Sequence, residues 1–200
     1  MPSTHDIIVE KADALFYQGG FAATSFADIA AALGISRGNF YHHFRTKDDI
    51  LDAVITRRMD RTRALLEGWQ QDAGSPRDRI LAFIRIVIVN RAGIMAYGCP
   101  VGTLCAELAK LDHAAQDRAA DLLALFRDWL AGQFRAMGAD AARADGLALH
   151  VLSWSQGVAV MAAAFRDEGF IQREVVAITA WLDELPELSA HKERPCSSPS

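Results

Sequence analysis

Apolar positions recur along this chain at helical spacing, and no strand-like alternation persists anywhere. Ile8, Ala12, Leu15 and Phe16 share one helical face, opened by a cap at Ser3 or Thr4 and stopped by Gly19-Gly20. Ser25-x-x-Asp28 forms a capping box for a second, short helix that buries Phe26, Ile29, Ala30 and Leu33 and ends at Gly34. Ser36 caps a third helix with Phe40 and Phe44 turned inward. Thr46-x-x-Asp49 opens a fourth, through Ile50, Leu51 and Val54 to about Trp69. Asp72 to Pro76 is the clearest break. Ser75-Pro76-Arg77-Asp78 then supplies an N-cap, a proline at the first helical position and an acid at the third. Ile80 to Val89 is β-branched enough to pass for a strand, but that cap and a run of about eighteen residues favour a helix, interrupted at Gly98-Cys99-Pro100. Further helices are expected at Thr103–Lys110, His113–Met137, Ala141–Arg166 and Gln172–Leu185. The Pro/Ser-rich tail, 191–200, has no apolar face and is expected to be disordered. The fold class is therefore all-α.

Length and charge narrow the function. Two hundred residues suffice for one compact chain or two small domains. Twenty-one basic against twenty-five acidic residues give −4, so any nucleic-acid contact needs a local basic patch. Residues 34–47 hold Arg37, Arg45 and Lys47 and no acid, which makes that stretch +3 and the remainder −7. Cys99, Cys105 and Cys196 are irregularly spaced and suggest neither a disulfide framework nor structural zinc; no metal or cofactor is expected. His113 and His150 lack metal partners at helical spacing. The start MPSTHD lacks a signal-peptide pattern, so a reducing, cytoplasmic location is expected. Residues 146–165 carry no Asp, Glu, Lys or Arg, but His150, Ser153, Ser155, Gln156 and two glycines argue against a lipid-facing span.

The first three helices make a mini-domain. Ser25–Leu33, the turn Gly34-Ile35-Ser36 and Arg37–Phe44 have the spacing of a helix-turn-helix, whose second helix enters the DNA major groove. Asn39, Tyr41, His42 and His43 add hydrogen-bonding tips. A plain three-helix bundle with a few surface charges is the competing reading.

Residues 6–54 resemble the N-terminal domain of TetR/AcrR-type transcriptional regulators. The resemblance rests on Ala14-Leu15-Phe16, Gly20-Phe21, Thr24-Ser25, Asp28-Ile29-Ala30, Leu33-Gly34-Ile35-Ser36, Gly38 through Phe44 and Lys47-Asp48. It implies an all-helical homodimer whose C-terminal domain binds an effector and whose default action is repression. It further implies that Thr24 and Ser25 hold phosphate, and that Ser36, Arg37, Gly38 and Asn39 form the base-reading start of the recognition helix. Arg37 could grip guanine, while Asn39 could pair with adenine or contact phosphate. Tyr41, His42 and Lys47 match phosphate-contacting positions, with His43 a weaker one. Phe40 and Phe44 remain core residues. The MPSTH start has no basic arm for the minor groove, so a shallow salt dependence is expected.

Gly98-Cys99-Pro100-Val101-Gly102-Thr103-Leu104, with Ala106-Glu107-Leu108, resembles the LmrA/YxaF-type branch, which includes some sensors of reactive electrophiles. Cys99 is open to three readings: a structural thiol, a redox or electrophile sensor, or a plain lining residue of a pocket. An effector pocket is expected among Phe83, Val87, Asn90, Met95, Tyr97, Cys99, Phe126, Trp129 and Trp154, suited to an apolar or aromatic molecule. Asn90 and Arg91 could anchor a ligand oxygen or cap a helix end. Trp154, Val158, Met161, Ala162, Ile178, Trp181 and Leu182 are the expected dimer interface. The domains are then 1–46, the reading head, and 47–190, the effector and dimerisation domain, with 47–69 as connector. The expected protein is no enzyme. It is a homodimeric repressor on a pseudo-palindromic double-stranded operator, released by a small effector, with a Cys99 thiol trigger as the alternative.

Overall fold

The computed structural model describes residues 3–72 and 74–185, and among these the chain is helical throughout, with no strand. The expected disorder of 191–200 lies outside the described residues. Helix α1 runs Thr4–Gly19, α2 Phe26–Leu33, α3 Arg37–His43 and α4 Lys47–Asp72. After the break come α5 Pro76–Val89, α6 Arg91–Tyr97, α7 Pro100–Lys110, α8 Gln116–Ala136, α9 Ala141–Phe165 and α10 Glu168–Glu184.

Local chemistry sets most of these ends. Ser3/Asp6, Ser25/Asp28 and Ser75/Asp78 each form a reciprocal capping box, and Thr46/Asp49 makes the equivalent contacts at the start of α4. Each satisfies backbone N–H groups that the first helical turn leaves unpaired. The four acids are consequently held below the usual carboxylate range, chiefly by these hydrogen bonds.

Four boundaries differ from the sequence expectation, one of them the start of α8, at Gln116 rather than His113. The helix from Pro76 does not continue to Gly98. It breaks at Asn90, whose backbone N–H and side-chain amide both donate to the Ile86 carbonyl, and α6 starts as a separate helix at Arg91. Helix α7 begins at Pro100 rather than Thr103, with Cys99 as its N-cap and Gly98 at φ +81° in the region that favours glycine. Helix α10 begins at Glu168, capped by Asp167, so Gly169 sits inside its first turn rather than ahead of it.

Two apolar cores result. One joins α5, α6, α8, α9 and α10, around Ile80, Ile84, Leu130, Phe134, Ala148 and Val151. The other fills the head with Ile8, Ala12, Phe16, Ile29, Phe40, Ile50 and Ile55. That second core does not stop at residue 46: Leu104 and Leu108 of α7 and Ala119 and Leu122 of α8 complete it. By length and composition α9 could cross a membrane, but Ala144, Ala148, Val151, Val158 and Ala162 are buried in the first core.

Candidate nucleic-acid interface and ligand cavity

The helix-turn-helix forms as its residues require. Gly34 takes φ +66° at the end of α2, and its N–H and that of Ile35 return to the Ala31 and Ala30 carbonyls. Phe40 and Phe44 are buried and clamp α3, Phe40 meeting the edge of Phe26 at 5.0 Å between ring centroids. The opposite face carries Gly38, Tyr41, His42 and His43, all exposed, and Ser36 is exposed in the turn before it. A Cβ at Gly38 would meet no atom within 4 Å, so that face is open to close approach. Tyr41 stacks on Phe26, which holds its phenol outward. Arg37 and Asn39 occupy the first turns of α3, while their side chains lie outside the described residues.

Three expected phosphate contacts are engaged inside the protein. The Thr24 hydroxyl is buried and donates to the Gly20 carbonyl at 2.7 Å. The Ser25 hydroxyl is taken by Asp28 in the capping box, which leaves the start of α2, rather than a free hydroxyl, to meet an anion. The Lys47 ammonium donates to the carbonyls of Phe21 (3.0 Å), Ala22 (3.3 Å) and Thr24 (3.2 Å), and sits over the Phe21 ring. Lys47 is thus a clasp on the α1–α2 turn. From the other side the Glu107 carboxylate of α7 accepts the N–H of Phe21 at 2.9 Å and of Ala22 at 2.8 Å. One turn of the reading head is therefore held by a cation from α4 and an anion from α7. The Glu107 contact spans 86 residues of sequence, so no local pattern announces it.

A cavity of about 490 Å3 lies between the head and the rest of the chain. Of the residues expected there, Phe83, Val87, Asn90, Cys99 and Phe126 line it. Met95, Trp129 and Trp154 instead pack half-buried against the first core, and Tyr97 is exposed, its ring touching the edge of Tyr17. The wall not foreseen comes from the head and connector: Glu10, Asp13 and Tyr17 of α1, and Arg58, Arg61 and Thr62 of α4. Arg58 is buried, ion-paired to Asp13 at 2.6 Å, and also donates to the Pro100 carbonyl at 2.5 Å. It joins α1, α4 and the start of α7 at one point. The sequence does hold a signal for it. Leu51, Ile55, Arg58, Thr62 and Leu66 share the inward stripe of α4, where a charged residue needs a buried partner.

Tyr17 donates to the Gly98 carbonyl at 2.8 Å, and burial pushes its hydroxyl up to about 12, keeping it a donor. The Cys99 sulfur faces the Gly102 N–H at 3.4 Å as the cap of α7. Cys105 donates to the Ala119 carbonyl and burial raises its thiol. Cys196 lies outside the described residues. Among the described residues, no cluster of three or more His, Cys, Asp or Glu groups could hold a metal.

The expected dimer residues divide by helical phase. Val158, Ala162, Ile178 and Leu182 are buried within the chain and have no surface to offer. Trp154 and Trp181 are half-buried, and Met161 is exposed. The outward apolar stripe of α9 and α10 is instead Leu149, Val160 (66% exposed), Met161, Phe165 (69%) and Val176 (69%).

Residues 8–54 match the bacterial regulatory proteins of the tetR family, and residues 77–174 match the C-terminal domain of LmrA/YxaF-like transcriptional regulators. The HTH-type transcriptional repressor DhaR of Mycobacterium sp. strain GP1 is 26% identical over 62% of this chain and 60% of its own length. An uncharacterised HTH-type regulator of Lactococcus lactis is 30% identical over 56% of this chain and 58% of its own. The chain therefore spans under two thirds of the length of these relatives. The crystal structure of a TetR transcriptional regulator from Legionella pneumophila superposes with a TM-score of 0.80 at 26% identity, covering 92% of this chain and 97% of that one.

Proposed function

This chain belongs to the tetR family of bacterial regulatory proteins, a family of transcriptional regulators rather than enzymes, and we propose that it is a repressor that lets go of DNA when a small molecule fills its cavity. The observation that carries the DNA half is the recognition helix α3. Its apolar side is locked by Phe40 and Phe44, and its other side presents Gly38, Tyr41, His42 and His43 to solvent. Arg37 and Asn39 stand at the base-reading end of that helix by position, and the +3 stretch around it supplies attraction to phosphate. Two copies joined through the outward stripe of α9 and α10 would set two such helices about 34 Å apart on a pseudo-palindrome. The apolar walls of the cavity suit an apolar or aromatic effector. Release requires that the effector favour one arrangement of head and body over another, by about 1–3 kcal/mol.

A second reading is a covalent trigger at Cys99, favoured by the position of its sulfur on the cavity wall at the cap of α7. Retained response to an inducer in Cys99→Ser removes it. The first experiment is fluorescence anisotropy on the DNA flanking the chain's own gene, against a shuffled duplex at two salt concentrations. Tight, sequence-dependent binding at two chains per site supports the repressor. Equal binding to both duplexes at both salts counts against it.

A further inference from the structure

The cavity has a polar end and an apolar body, and nearly every polar group in it is already committed. Its four charges cancel in sign: Arg58 and Asp13 form a buried pair at 2.6 Å, whereas the exposed Arg61 stands 3.8 Å from both Glu10 and Asp13, and Glu10 pairs more closely with Arg57 at 3.0 Å. The Tyr17 hydroxyl is given to Gly98, the Ser155 hydroxyl to Leu152 and the Asn90 amide to Ile86. Two groups are exceptions: the Gln156 side-chain carbonyl, whose amide N–H2 alone is engaged (to the Ser155 hydroxyl at 3.3 Å), and the hydroxyl of Thr62. Thr62 lines the cavity, is more than nine-tenths buried, and its hydroxyl has no hydrogen-bond partner among the described residues. It sits one turn along α4 from Arg58, between the ion pairs and the apolar walls formed by Phe83, Phe126 and Leu152.

Resting on the effector reading above, we infer that the cavity takes an uncharged molecule with a flat apolar body and one hydrogen-bonding oxygen, and that Thr62 meets that oxygen. A carboxylate would enter beside Glu10 and Asp13. It could reach the Arg58 guanidinium only by displacing Asp13, which is buried with it, and at the exposed Arg61 it would compete with Glu10 and Asp13. A cation would meet Arg58 and Arg61 in the same way. A pure hydrocarbon would close over the Thr62 hydroxyl and remove its access to water without replacing it. A neutral carbonyl or hydroxyl satisfies Thr62 and leaves the ion pairs intact.

Three probes of nearly one shape separate these cases: 2-ethylnaphthalene, 2-acetylnaphthalene and 2-naphthoate, titrated calorimetrically into the full chain. The acetyl compound is expected to bind about fivefold tighter than the ethyl compound, the advantage of one net hydrogen bond. The naphthoate is expected to bind at least about tenfold weaker than the acetyl compound. In Thr62→Val the acetyl preference over ethyl disappears while ethyl affinity is kept; in Thr62→Ser the preference stays. Naphthoate binding as tight as the acetyl compound, or a preference that survives Thr62→Val, overturns the inference. If none of the three binds while the chain still holds its operator, the inference falls and the repressor reading stands. Failure of the untouched chain to bind operator DNA sinks that reading instead.

Discussion

Removing the Glu107 carboxylate is expected to weaken both the fold and the grip on DNA, because a single side chain of α7 holds the turn that leads into α2. The carboxylate accepts two backbone N–H groups, at 2.9 and 2.8 Å, in a half-buried position. A hydrogen bond to a charged group contributes about 1.5–3 kcal/mol, and partial exposure lets water replace part of that. Glu107→Ala is therefore expected to cost about 2 kcal/mol, which for a chain of this size lowers the melting temperature by roughly 4–8 °C. Glu107→Gln retains one carbonyl oxygen but points an N–H2 group at a backbone donor, so it is expected to lose about half as much. Gly20 adds a geometric check. At φ +90° a new Cβ there would lie 3.1 Å from the Glu107 carboxylate, so Gly20→Ala strains the backbone and crowds the clasp together. The assays are thermal unfolding by circular dichroism and operator titration by anisotropy. The loss of operator affinity should exceed that of an exposed control such as Glu67→Ala. An unchanged melting temperature in Glu107→Ala, or a lowered one with unchanged operator affinity, refutes the argument that α7 positions the head.

Lys47→Met is expected to destabilise the head by about 1–2 kcal/mol, since three carbonyls lose a charged donor, yet leave the slope of log affinity against log salt unchanged; a phosphate-contacting lysine would lower that slope by about one. Arg58→Met leaves the buried Asp13 with only the looser Arg61 contact at 3.8 Å and should cost about 3 kcal/mol, read as a lowered urea midpoint. Val160→Glu puts a charge on the outward stripe of α9; if copies pair there, size-exclusion chromatography will show a shift to monomer and operator affinity will fall, whereas Arg143→Ala in the first turn of that helix will do neither. Asp6, Asp28, Asp49 and Asp78 titrate lower in the folded chain than unfolded, where the reference is about 3.9. Their caps therefore stabilise fully above that value, and the stabilisation is lost as pH falls through the lower folded values; Asp28→Asn should flatten the acid limb of a stability–pH curve.

What the sequence discloses depends on how local its cause is. Ser25 with Asp28, Thr46 with Asp49 and Ser75 with Asp78 act within one turn, so these helix starts are legible from residue types alone. Asn90 is not: a break there depends on its amide returning to Ile86, and asparagine is also tolerated within helices. Gly169 reads as a stop signal, but Asp167 caps the helix ahead of it, and a glycine in a first turn disrupts little. The reading head is legible because its core residues, Phe16, Ile29 and Phe40, sit on helices with clear polar faces. In α9 the residues from 146 to 165 are apolar or small on every side, so hydrophobicity cannot tell Val158, which faces in, from Val160, which faces out.

The same distinction explains why half of the cavity is invisible in the sequence. An apolar wall is guessed by collecting aromatic and aliphatic residues from one domain, which finds Phe83, Val87 and Phe126. The other wall belongs to α1 and α4, which contacts between distant parts of the chain, Arg58 with Asp13 and the Pro100 carbonyl and Tyr17 with the Gly98 carbonyl, bring against the body. Those contacts have a consequence for control. Asp13, Tyr17 and Arg58 line the cavity and also fix α1 against α4, α6 and α7. Helix α7 in turn reaches the α1–α2 turn through Glu107. On the effector-release reading, a ligand that displaced the start of α7 would load both the Arg58–Pro100 and the Glu107–Phe21 contacts, since α7 carries one near its start and the other two turns on. Signal transfer on this reading needs no long pathway: the cavity wall and the support of the reading head are two ends of one helix.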